Sequence, residues 1–87
     1  MRDGKLREDI DRANQAEALL NNPILTDAFA HLEQQFMEAW RQSPVNDTEN
    51  RERIYHLCTA LEAVKGHLRT VVESGKIAQA NLDNIKK

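Results

Sequence analysis

Apolar residues recur at steps of three and four along most of this chain, which holds 87 residues. One stripe runs through Leu25, Ala28, Phe29, Leu32, Phe36, Ala39 and Trp40, and a second through Ile54, Leu57, Cys58, Leu61, Leu68 and Val72. Such spacing keeps side chains on one face of a helix and would throw them to both faces of a strand. Between the stripes stands Ser43-Pro44-Val45-Asn46-Asp47-Thr48, a proline stop followed by capping residues. The pattern predicts an all-α fold in which two long helices fold back as an antiparallel hairpin.

An additional N-terminal helix is predicted over residues 5–20, with Leu6, Ile10, Ala13 and Leu20 on one face. That face is alanine-rich and interrupted by Glu17, so the helix leans on tertiary contacts. Asn21-Asn22-Pro23 breaks it, with Asn22 as N-cap and Pro23 in the first turn of a second helix over 23–42. A third helix is expected over 47–74. Asn46 and Glu49 have capping-box spacing, with Asp47 or Thr48 as alternative caps. Gly75 reads as a left-handed C-terminal residue, followed by a short helix over 76–85 that carries Ile77, Leu82 and Ile85. The whole of 1–87 forms one helical domain.

At ~1.5 Å per residue the third helix spans roughly 40 Å and the second roughly 30 Å. The surplus must be covered by the first helix, the tail or another subunit. The expected seam sets Leu25, Phe29, Leu32, Phe36 and Trp40 against Ile54, Leu57, Cys58, Leu61 and Leu68. Trp40 reads as core, with a contact anchor as the alternative. Gly66 costs the third helix roughly 1 kcal/mol against alanine. It is either a tolerated glycine on a solvated face or part of a small-residue groove for another helix.

The chemistry-bearing residues form no reaction centre. His56 and His67 stand three turns apart, no metal-binding spacing is present, and the three glycines stand alone at Gly4, Gly66 and Gly75. No serine or threonine has a histidine at hand. The expectation is a non-enzyme with no catalytic residue, no cofactor and no metal. Lone Cys58 lies in an apolar stripe and reads as a small buried hydrophobe in a reducing compartment. The N-terminal stretch has no signal-peptide apolar region and no segment reaches membrane-spanning length, so a soluble protein without a membrane partner is expected. Arg51, Arg53, Lys65 and Arg69 are offset on their helix by Glu49, Glu52, Glu62 and Glu73; Lys76, Lys86 and Lys87 make a basic tail. With a net charge of -2 and charges this mixed, nucleic acid is not the expected partner.

Contact with other proteins is the remaining class. A long helical hairpin has much surface and little core, and association is the economical remedy. Candidate contact residues are Ala60, Ala63, Val64 and Val71 on the third helix, with Met37 and Trp40 on the second; Leu19 is a further position off the main stripes. The expected partners are the chain itself, as a homo-oligomer, and other proteins.

Four segments carry a resemblance over nearly the whole chain: Ala16 to Phe29 (A-x-x-L-L-x-N-P-x-L-x-x-A-F), Trp40 near a helix end, Asp47 to Ile54 (D-T-E-x-R-E-R-I) and Leu68 to Ala78 (L-x-x-V-V-E-S-G-K-I-A). In these the chain resembles a group of small helical proteins of tailed bacteriophages, associated with the virion-morphogenesis region. The resemblance implies a virion-associated or assembly role, in the host cytoplasm or the virion, with no family active site to carry over. A small effector that binds and inhibits a host enzyme or defence component is the alternative.

Overall fold

The chain breaks twice, and at both breaks short polar side chains satisfy the backbone groups that a helix end leaves open. The computed structural model describes residues 2–86 and resolves them into α1 (Arg2–Leu20), α2 (Pro23–Gln42) and α3 (Thr48–Lys86), with no strand among them. Asn22 stays extended, and its Oδ1 accepts from the backbone N–H of Ile24 at 2.9 Å and of Leu25 at 3.3 Å. Pro23 follows at the first helical position, where an N–H would have been unpaired. Ser43 closes α2: its backbone N–H and its hydroxyl both donate to the Trp40 carbonyl, at 3.2 and 2.6 Å. Of the candidate caps for α3, Asp47 takes the role, its carboxylate accepting from the Asn50 N–H at 3.3 Å. Met1 and Lys87, the end of the basic tail, lie outside the described residues.

α3 does not stop at Gly75. It runs unbroken for 39 residues and absorbs the 76–85 segment expected as a separate helix. Gly75 has no positive φ and is buried. A Cβ built there would overlap the Cβ of Ala13 and come within 3.2 Å of the Asp9 carbonyl oxygen. Its missing side chain thus serves close approach of α1, not chain reversal. Ala13, Ala16 and Ala78 are buried beside it, Ala78 to 2% exposure. The thin alanine face of α1, a weakness when read alone, is what lets the two backbones come together.

Leu6, Ala78 and Leu82 form the buried cluster at one end of this contact, with Ile10 packed against it. Ala13 meets Gly75, and Leu20 lines a depression with Lys65 and Arg69. Further along, Glu33 of α2 pairs with Lys65, and Trp40 stacks with Arg51. Residue numbers on α3 therefore fall as those on α1 and then α2 rise. α1 lies over the C-terminal half of α3 and α2 over its N-terminal half. The molecule measures 62 × 24 × 16 Å with a radius of gyration of 18.5 Å, against about 12 Å for a compact domain of this length.

α2 departs furthest from the expected packing, since none of its residues is buried. Leu32, Trp40 and Leu57 of the expected seam are exposed, while Ile54 and Leu61 are buried. A stripe roughly 100° wide needs neighbours on two sides, and α3 covers only one. The covered positions of α3 follow Ile54, Cys58, Leu61, Lys65, Leu68, Val72 and Gly75, alternating steps of four and three. That seven-residue repeat drifts by ~20° per repeat on a straight helix. The covered face accordingly swings from Ile54 and Leu61 under α2 to Ala78 and Leu82 under α1. Gly66 faces open space, with nothing within 4 Å of a Cβ built on it, so no helix uses it as a groove.

Candidate contact surface

Phe36, Met37, Trp40 and Arg41 of α2 line an open cleft of about 210 Å³ with Ile54, Tyr55 and Cys58 of α3. Its back wall is the covered Ile54, and its rim holds the exposed Met37 and Tyr55. Arg51 holds the Trp40 end in place. The guanidinium carbon sits 4.0 Å from the ring centroid, and Nη1 donates to the Ser43 carbonyl at 3.3 Å and the Ser43 hydroxyl at 3.2 Å. The indole is nevertheless 40% exposed. Trp40 is therefore a rim residue of the cleft, which corrects its reading as core.

The other flank of the α2–α3 seam is also apolar. Met37 and Tyr55 each follow a seam residue, Phe36 and Ile54, by one position, a turn of ~100° to the same side. Leu32 and Leu57 lie at the opposite phase and so flank the seam on its far side. Leu25, Leu32 and Ala39 repeat every seventh residue on α2, as do Leu57, Val64 and Val71 on α3. Leu57 is 44% and Val64 52% exposed.

Of the sequence-predicted contact residues, Met37 and Trp40 are thus brought together in the cleft, and Val64 lies on the opposite flank. Ala60 and Ala63 are exposed further round α3. Val71 is half-buried beside Asp9 and Arg12 of α1, so α1 partly covers it. Leu32 and Leu57, assigned to the core by spacing, are with Trp40 the residues of the expected seam that the sequence reading misplaced. Their spacing is that of the covered positions, so the sequence held no separate signal for them.

A polar pair interrupts the seam. Lys65 occupies a seam position between Leu61 and Leu68, where it pairs across helices with Glu33 and along α3 with Glu62 at 3.4 Å. The hydrogen bond from Lys65 holds the Glu33 carboxyl below its ordinary pKa, against a smaller opposing effect of desolvation. The same bond holds the Lys65 ammonium above its ordinary pKa. A charged pair in an apolar seam disfavours slipped registers, because sliding one helix would strand the lysine among leucines.

The cleft brings no carboxylate or histidine together with its single hydroxyl, that of Tyr55. Among the described residues no group of three His, Cys, Asp or Glu could hold a metal ion, and no buried side-chain polar atom lacks a partner. No helix among them is long and apolar enough to cross a membrane. An apolar surface of this kind takes up apolar side chains. No family model matches the chain, and no curated protein or solved structure matches it either.

Proposed function

We propose that this is a non-enzymatic protein that works by helix-mediated contacts with other proteins, as an antiparallel helical rod presenting the apolar flanks of α2 and the N-terminal half of α3. The observation that carries this reading is α2 itself: an amphipathic helix with no buried residue. The accessible surface of the chain is 6679 Å², whereas a compact monomer of this mass exposes roughly 5,200 Å². The excess of about 1,500 Å² exceeds the ~800 Å² that one partner contributes to an ordinary protein–protein interface. The setting proposed for these contacts, a tailed-phage virion or its assembly, rests on the sequence resemblance alone.

Photo-cross-linking in the cell tests the contact reading. A benzoylphenylalanine at Leu57 should give protein adducts, and one at the exposed, polar Glu73 should not. Equal yields, or none at Leu57, reject it. Mass spectrometry of purified virions and assembly intermediates tests the setting, which requires stoichiometric copies in one or the other.

A further inference from the structure

We infer that the partner of the flank formed by Leu25, Leu32, Ala39, Leu57 and Val64 is a second copy of this chain, the two rods lying side by side as a four-helix bundle. The inference rests on the contact reading above and names its occupant.

The first observation is the route of the groove along α3. Leu57, Leu61, Val64, Leu68, Val71, Gly75, Ala78 and Leu82 are spaced four and three apart and form one line. α1 occupies the C-terminal part of that line, burying Ala78 and Leu82. Had α1 continued straight it would have covered Val64 and Leu57 too. Asn21-Asn22-Pro23 interrupts it, and α2 docks on the Ile54 and Cys58 side instead. Leu61 and Leu68, at the seam edge of the line, stay covered, while Leu57 and Val64 are left without a helix.

The second observation is the chemistry of the opposing wall. Over a roughly 100° arc on this side, α2 presents Leu25, Ala28, Leu32, Gln35, Ala39 and Gln42, with no charge among them. Apolar residues at three of seven positions suit a helix inside a bundle, where two neighbours must be met, and exceed the need of a two-helix pair. The α2 wall offers a charged partner nothing to pair with, while the same wall on another copy is complementary to it under two-fold symmetry. The nearest charge on the α3 wall is Arg53, one turn before Leu57.

The third observation is area. One broad face of the rod measures 62 × 24 Å. Half of that face is about 740 Å², close to the ~800 Å² per partner that a stable dimer needs. Pairing over the α2 half alone comes near to this.

Sedimentation equilibrium of the intact chain at micromolar concentration should read twice the 10.0 kDa chain mass. Leu57→Glu with Val64→Glu should return it to the single mass with helical circular dichroism retained, because both side chains are already half exposed within one chain. Met37→Glu, on the opposite flank, should leave the doubled mass unchanged. A wild-type chain of single mass, or a doubled mass that survives both glutamates, overturns the inference. A readout that needs no destabilising change is benzoylphenylalanine in place of Val64 in the purified protein. It should yield a covalent species of doubled mass, and its absence also overturns the inference. A single-mass protein that still forms adducts with a different protein through Leu57 in the cell would sink the second copy and leave the contact reading standing. Loss of all adducts would sink both.

Discussion

Gly66 and Gly75 sit in the same helix and predict opposite responses to the same change. Nothing lies near Gly66, so Gly66→Ala should raise stability by about 1 kcal/mol, the helix-propensity difference. At Gly75 the new methyl would meet a Cβ and a carbonyl fixed to the α1 backbone. Overpacking of this kind costs about 1–3 kcal/mol, so Gly75→Ala should be net destabilising by up to about 2 kcal/mol once the propensity gain is offset. Chemical denaturation of the two variants checks the signs. Trp40→Ala should cost about 2 kcal/mol or less, below the ~3–5 kcal/mol of a buried aromatic, because the lost contacts are a part-exposed ring face and one guanidinium. A melt that abolishes folding would return Trp40 to the core. At this scale the sequence was partly legible. Asn22 and Pro23 announced their roles through bonds within three residues, whereas Gly75 did not, because a cap and a close helix contact both call for the smallest residue.

The three helices differ in what holds them. α1 is held by the buried Leu6, Ala13 and Ala16, while α2 has no buried residue and is fastened by Arg51 at one end and Lys65 near its middle. Amide exchange should therefore be fastest in α2. If α2 lies in the interface between copies, its protection should rise with protein concentration while that of α1 changes little. The Glu33–Lys65 pair adds a pH dependence. A carboxyl held below its ordinary pKa stabilises the fold above that ordinary value and loses the contribution as pH falls through the lowered one. The raised Lys65 pKa keeps the ammonium charged until strongly alkaline pH, where the same contribution is lost again. The melting temperature of wild type should exceed that of Glu33→Gln at neutral pH, and the gap should close in acid. A gap independent of pH would show that the pair does not couple to folding.

At the scale of the whole molecule the chain trades compactness for reach. α3 runs nearly the full 62 Å, and the other two helices together only line it. A radius of gyration of 18.5 Å follows from that layout. Small-angle scattering distinguishes side-by-side from end-to-end pairing: the side-by-side bundle doubles the mass with little growth in radius of gyration, whereas rods joined at their tips would lengthen it greatly.

The amino-acid sequence by itself determined the two breaks, at Asn21-Asn22 and at Ser43 to Asp47, but not the course of α3 through Gly75, where an end was expected and none occurs. The deciding interactions at the breaks are a side-chain oxygen on an N–H two or three residues away, or a proline ring on its neighbour. It also determined that each helix has an apolar face, since spacing alone places side chains around a helix. Which part of each face is covered was decided only by the tertiary structure. The break at Asn21-Asn22-Pro23 swings α2 off the line that α1 follows, Gly75 and Ala13 draw α1 in, and the covered face drifts around α3 as it lengthens. Leu32 and Leu57 carry the same spacing as buried residues and end up exposed, because spacing states a direction and only the neighbouring helix decides what fills it.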